Sequence, residues 1–210
     1  MRLLIFDFDG VLADTLADML RFAQEACDEL GIEHSVVPRD LSDLEVMSFA
    51  SFGRACEVPE RSVGEFVRRC LSKFERKESP PEIFPKLPDV IRQLSEGNIL
   101  VVVTGNTTST VNAFLAHHGI RDCFSAVYGV DLPGTKAEKI IMAKRKFESK
   151  DTSTFLVGDS LSDIRAAREA NATSIAVGWG HQSMDMLIHG KPDAIVHSPD
   201  ELMEVLGGGN

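Results

Sequence analysis

Leu3-Leu4-Ile5-Phe6-Asp7-Phe8-Asp9-Gly10 is the stretch from which the fold can be read. An apolar run drives straight into two carboxylates spaced i and i+2, and a glycine follows. Aspartate is disfavoured in strands and costly to bury unpaired. An acid pair at the end of an apolar strand therefore needs a reason. An Asx turn closing the strand would need only one aspartate at an exposed site. The other reading puts the run at the centre of a parallel sheet. Asp7 and Asp9 would then stand at the carboxyl edge, where open α/β sheets bind ligands. The two side chains leave one strand end, and the turn at Gly10 lets their carboxyls diverge to different partners.

Outward from this strand the chain falls into two patterns. Residues 15–81 hold no convincing strand. Thr15-Leu-Ala-Asp18 reads as a capping-box start of a helix running to about Leu30 and stopped by Gly31. Leu16, Leu20, Ala23 and Cys27 share one face of it. Leu44, Met47 and Phe52, then Val63, Phe66, Val67, Cys70, Leu71 and Phe74, continue the helical period. Pro80, Pro81 and Pro85 break the chain. Beyond them strand and helix alternate. Ile99–Val103 is apolar throughout, as strands buried on both faces are. Thr154–Val157 ends at Gly158-Asp159-Ser160, and Ser174–Val177 and Ala194–Val196 are further strands. Ala126–Gly129 is a short strand candidate. Helices are expected over 86–96, 108–118, 135–147 and 160–170. The prediction is an α/β fold: a doubly wound parallel sheet formed by residues 1–14 and 82–210, with a small all-helical block, 15–81, inserted after the first strand. The Gly207-Gly208-Gly209 tail is expected to be flexible.

Composition narrows the function. Of 210 residues, 43% are hydrophobic and 26% charged, as in ordinary globular proteins. A net charge of −10 argues against a nucleic-acid partner, which would show a basic stripe. Small anionic substrates remain open, since one cationic pocket suffices. Cys27, Cys56, Cys70 and Cys123 lack any C-x-x-C spacing and read as reduced, buried small hydrophobes of a cytoplasmic protein. The apolar run at the N-terminus is too short to span a membrane.

Three strand ends and one helix start carry candidate chemistry. Asp7 and Asp159, each ending a buried strand, make a hard-oxygen site suited to Mg²⁺. Asp163 falls at the third helical position after Ser160, where it also serves the cap. Thr104-Gly105-Asn106 offers a hydroxyl, backbone amides and the next helix N-terminus as an anion cradle. Lys136 sits in a first helical turn, where a cation is mildly unfavourable; beside the Thr104 cradle it would neutralise a phosphate. His117-His118 reads as a helix C-terminus, and Arg68, Arg69 and Lys73 as a solvated face. His181, after Trp179-Gly180, follows a strand and could reach the same crevice.

Together, Asp7-Phe8-Asp9-Gly10-Val11, Val103-Thr104-Gly105-Asn106, Lys136 and Gly158-Asp159-Ser160-Leu161-Ser162-Asp163 resemble the motifs of the haloacid dehalogenase superfamily across essentially the whole chain. Residues 15–81 resemble that superfamily's small helical cap. The Asp163-Ile-Arg-Ala-Ala-Arg and Val177-Gly-Trp-Gly segments are most similar to phosphoglycolate phosphatase-like members, although the stretch from Met47 to Arg54 lacks the glycine-proline loop common in such caps. The resemblance implies a Mg²⁺-dependent phosphatase of a small, phosphoglycolate-like metabolite. Asp7 would be nucleophile and metal ligand, and Asp9 the acid/base and a backbone ligand. Thr104, Gly105, Asn106 and Lys136 would hold phosphate oxygens. Asp159 would bind metal, and Asp163 would act behind it on Lys136 or a metal-bound water. It implies a monomer or homodimer with no nucleic-acid or membrane partner. An acid at the Asp9 position favours phosphate chemistry over dehalogenation. The alternatives are a phosphosugar mutase of the β-phosphoglucomutase type and, more remotely, a phospho-accepting signalling module.

Overall fold

The structure is a computed structural model that describes residues 1–77 and 79–207. In chain order its elements are β1 (Leu3–Phe6), β2 (Ala13–Asp14), α1 (Leu16–Leu30), α2 (Arg39–Ser42), α3 (Phe49–Ala55), α4 (Glu60–Glu75), β3 (Glu82–Ile83), α5 (Leu87–Ser95), β4 (Ile99–Val103), α6 (Thr108–His117), β5 (Phe124–Tyr128), α7 (Lys136–Lys146), β6 (Thr154–Gly158), α8 (Leu161–Glu169), β7 (Thr173–Val177), α9 (Met184–Gly190), β8 (Ala194–Val196) and α10 (Pro199–Gly207). One sheet has the order β5-β4-β1-β6-β7-β8, with every neighbouring pair parallel. β1 is an inner strand, registered Leu3 to Ile99 on one side and Leu3 to Thr154 on the other. It is buried at all four positions, as its apolar run requires.

The side-chain period of two divides β1 between two cores. Leu4 and Phe6 pack with Leu87, Ile91, Phe114 and Leu202, so α5, α6 and α10 cover that face. Leu3 and Ile5 pack with Ile140, Ala143 and Ala167 of α7 and α8 on the other. The small residues of α7 and α8 let those helices lie close to the sheet. No helix among the described residues is long and apolar enough to cross a membrane.

The helical block leaves and rejoins the sheet at one place. β2 and β3 pair antiparallel, Ala13 opposite Ile83 and Asp14 opposite Glu82. Between them α1–α4 bury their own core of Ala23, Cys27, Leu41, Phe52, Cys56 and Phe66. Arg69 and Lys73 differ from the expected solvated face: they pair with Glu25 and Glu29, clamping α4 along α1. Thr15 departs further from expectation. Its side chain makes no cap hydrogen bond and its backbone is helical, while Asp18 pairs with Arg21 and Lys77. The Thr15 hydroxyl is used elsewhere, as described below. Cys27, Cys56 and Cys70 are buried, but Cys123 is only half-buried. Beyond Gly207, which ends α10, the expected flexible tail lies outside the described residues.

Candidate active site

β1, β4 and β6 end along one edge of the sheet, and α7 begins there. Asp7, Asp9, Thr104, Gly105, Asn106, Lys136 and Asp159 all line one cavity of about 390 Å³ between that edge and the helical block. The topology thus brings together residues up to 152 positions apart in sequence.

Lys136 is the hub. Its Nζ lies 2.8 Å from Asp7 Oδ2 and 2.5 Å from Asp163 Oδ1. Burial opposes the ammonium charge, but Asp163 and Asp7 outweigh it and raise the pKa, so Lys136 is fully cationic. The mildly unfavourable first-turn position is explained by this pair of anions. α7 itself opens with the expected capping box between Thr135 and Glu138, which fixes the start of the helix and hence the lysine.

Asp163 faces inward with both oxygens engaged. Oδ2 accepts from the Ser160 hydroxyl at 2.5 Å and the Ser160 amide at 3.1 Å, in the expected capping box, while Oδ1 takes Lys136. It therefore serves the cap and Lys136 at once.

Asp7 and Asp9 do diverge. Asp7 points to Lys136, whereas Asp9 accepts from Asn106 Nδ2 on one oxygen and from Thr15 Oγ1, at 3.1 Å, on the other. Burial pushes Asp7 up to about 7 against the pull of Lys136. Asp9 is also raised, by burial, although the Thr15 and Asn106 hydrogen bonds work the other way. Asn106 was expected to contact phosphate; here its amide holds Asp9. Thr104 is buried and its Oγ1 accepts from the Asn106 amide at 3.0 Å, which shapes the turn.

One oxygen from each of Asp7, Asp159 and Asp163 lies within 4.8 Å of the others. Asp159 is pushed well above the ordinary carboxylate range by burial, with Asp163 and Asp7 adding repulsion. Its Oδ2 accepts the His181 amide at 2.7 Å. Clustered carboxylates with too little cationic charge, all hard oxygen donors, fit a divalent cation such as Mg²⁺.

Two glycines make room for Asp159. A Cβ on Gly10, whose φ is 73°, would stand 1.9 Å from Asp159 Oδ2. A Cβ on Gly180 would stand 2.2 Å from Asp159 Cβ. His181 does reach the crevice, while Trp179 turns away to donate to the Val11 carbonyl at 3.3 Å. Burial holds the His181 imidazole down to about 4, so it is neutral near pH 7. Its Nε2 lies 3.2 Å from Thr15 Oγ1. With the single hydroxyl proton of Thr15 given to Asp9, Nε2–H donates to Thr15, and a chain His181–Thr15–Asp9 results. The sequence reading missed Thr15 because its position after Asp14 matches a helix cap. Met19 and Phe49 were also missed as site residues, because helical periodicity does not distinguish a core face from a cavity wall, and Met47, expected to continue a helical period, lies in the segment between α2 and α3.

The family model of haloacid dehalogenase-like hydrolases matches residues 4–177, and the chain belongs to that family. Among similar proteins, a phosphoglycolate phosphatase of Synechococcus elongatus is 25% identical over 98% of this chain and 97% of its own. One of Agrobacterium fabrum is 29% identical over 92% of this chain and 87% of its own. A haloacid dehalogenase-like hydrolase structure from Streptococcus pneumoniae superposes with a TM-score of 0.86 at 25% identity, covering 98% of each chain.

Proposed function

We propose that the protein is a Mg²⁺-dependent phosphatase that hydrolyses a small phosphate monoester through a phosphorylated Asp7. The observation that carries this reading is the pairing of Asp7 with Lys136, beside Asp159 and opposite an independently held Asp9. Asp7 and Asp159 would hold the ion, with Asp163 behind them. Bound there, Mg²⁺ offsets the repulsion between an anionic nucleophile and an anionic phosphate.

An oxygen of Asp7 attacks phosphorus and the bond to the leaving oxygen breaks. The barrier is split into two smaller ones. Lys136, Thr104 and the backbone of Gly105 and Asn106 face the transferring oxygens. Asp9 gives its proton to the leaving alkoxide, then takes one from the water whose oxygen displaces Asp7 from phosphorus. Burial raises its pKa, the direction that favours the protonated form an acid needs. Residues 15–81 act as a cap that excludes bulk water and meets the leaving group. Asn106 and Thr15 keep Asp9 aimed across the cavity.

The relatives carry phosphoglycolate in their names, so phosphoglycolate is the reference substrate. In a Mg²⁺-dependent screen of phosphate monoesters, the parent protein releases phosphate and Asp7→Asn does not. Asp9→Ala accumulates phosphoenzyme and releases it slowly. Full activity in Asp7→Asn would remove the nucleophile assignment. A mutase would need polar groups to grip a sugar in two orientations, and among the described residues of the helical block only Ser48 contributes a hydroxyl to the cavity lining.

A further inference from the structure

We propose that the preferred substrate carries an uncharged, apolar leaving group, an alkyl or arylalkyl phosphate, and not a carboxylate-bearing one such as phosphoglycolate. The proposal rests on the phosphatase reading above and concerns the other half of the same cavity. The wall facing the sheet edge is made by Met19, Leu41, Met47, Phe49, Leu71 and Phe74, with Ser48 as its polar member. The Phe74 ring packs edge-on against Phe22 at 4.7 Å and lies 5.9 Å from Phe49, so the aromatic part of the wall is braced from behind. The two methionines supply a surface that adapts to the shape of an apolar group. Leu71 remains 46% exposed on α4 although it lines the cavity, an apolar side chain left facing a space that a ligand would fill.

The charges point the same way. Among the described residues of the helical block, no lysine or arginine lines the cavity. Arg21 and Lys77 are paired with Asp18, Arg39 with Asp43 and Arg54 with Glu60. Arg68 is paired with Glu65, Arg69 with Glu29 and Glu65, and Lys73 with Glu25 and Glu29. Arg61 and Arg76 are exposed and lie outside the lining. Lys136 is the one cationic side chain lining the cavity among the described residues, against the carboxylates of Asp7, Asp9 and Asp159, and it already contacts two anions. Even with a divalent cation bound, a phosphate dianion brings the site to net negative charge. A leaving group with its own carboxylate would add charge opposite an apolar wall that offers it no partner, and an unpaired charge in such a place is strongly disfavoured. An apolar group instead gains from leaving water.

The test compares kcat/KM for benzyl phosphate, isopentyl phosphate, glucose 6-phosphate and phosphoglycolate with Mg²⁺. All four are primary alkyl esters, so the comparison reads the wall and not the intrinsic lability of an aryl ester. Benzyl and isopentyl phosphate are expected to exceed phosphoglycolate by about 100-fold, which corresponds to roughly 3 kcal/mol of differential transition-state binding. A second variant reads the wall directly. Leu71→Arg, at a position exposed enough to accept the longer side chain, should lower KM for phosphoglycolate and raise it for benzyl phosphate. A kcat/KM for phosphoglycolate equal to or above that for benzyl phosphate would overturn the substrate class while leaving the phosphatase reading intact. Absence of turnover with all four esters, in a protein that unfolds cooperatively, would overturn both.

Discussion

The carboxylate cluster makes a prediction about stability that needs no substrate. Burial raises Asp7 from an ordinary 3.8 to about 7. The folded protein therefore keeps a proton at a pH where the unfolded chain has lost it. The sign follows from linkage: this group's contribution is fully present below about pH 4 and is lost as pH rises through about 7. Each pH unit in that window is worth about 1.4 kcal/mol, so Asp7 alone costs roughly 4 kcal/mol across it and about 2 kcal/mol between pH 5.5 and 7. Its side chain is 13% exposed, so solvent screening reduces the figure only a little. His181 acts in the opposite direction, because burial depresses it to about 4 and its contribution is lost as pH falls from about 6.5 to about 4. The two are separated by comparison with Asp7→Asn, which keeps His181 and loses the Asp7 titration. Urea unfolding of metal-free parent and variant at about pH 5.5, 6.2, 7 and 7.5 is the assay. The stability of Asp7→Asn relative to the parent should rise by about 2 kcal/mol from the lowest to the third pH. Excess Mg²⁺ should stabilise the parent more at about pH 7.5 than at about 5.5, because protons compete for the same oxygens. A variant-minus-parent difference that is flat with pH, or that falls as pH rises, would refute the reasoning.

Thr15→Val removes the hydroxyl between Asp9 and His181 while keeping the shape; kcat should fall about tenfold with KM little changed, in keeping with the loss of one hydrogen bond that aims Asp9. Steady-state kinetics checks it, and a change confined to KM would contradict it. Gly180→Ala drives a methyl group into Asp159 and should cost about 1–3 kcal/mol of stability and weaken Mg²⁺ binding, measured by unfolding and by calorimetric metal titration. Gln182→Ala leaves the Leu161 amide and the Leu44 carbonyl without their partner and should cost about 1–3 kcal/mol, with faster hydrogen exchange at the start of α8.

Much of the sheet was legible because its signals are local. Ile99–Val103 is apolar without alternation, and only a strand buried on both faces needs that. The capping boxes at Thr135 and Ser160 place α7 and α8 within a residue, since side-chain and backbone partners there are neighbours in sequence. Asp7, Asp159 and Lys136 stood out because each breaks a local rule, a charge at a strand end or at the wrong end of a helix. Thr15 and Asn106 break none. A threonine before a helix satisfies capping statistics, and an asparagine satisfies a turn, so their contacts to Asp9 exist only once β1, β4 and α1 meet. β2 and β3 are likewise invisible, because two residues carry no period. Met19, Phe49 and Leu71 of the wall lie on helices with the period of a core, and Met47 lies between α2 and α3. The sequence does not say which apolar positions of α1, α3 and α4 find a partner and which face a cavity.

The two halves of the site obey different constraints, and this separates what selects the reaction from what selects the substrate. On the sheet edge each functional group is over-determined. Asp163 is held at both oxygens, Asp9 at both, and Asp159 is hemmed by Gly10 and Gly180, so little can change without disturbing several partners. On the helical side the wall is made of side chains that meet each other and open space. There an apolar exchange costs least at Leu71, which is 46% exposed, and more at Leu41, which belongs to the buried core of the helical block. In the proposed reading, reaction chemistry rests on geometry that spans three strands, whereas leaving-group preference rests on the cavity face of the helical block. Shared haloacid dehalogenase chemistry is then compatible with different substrates.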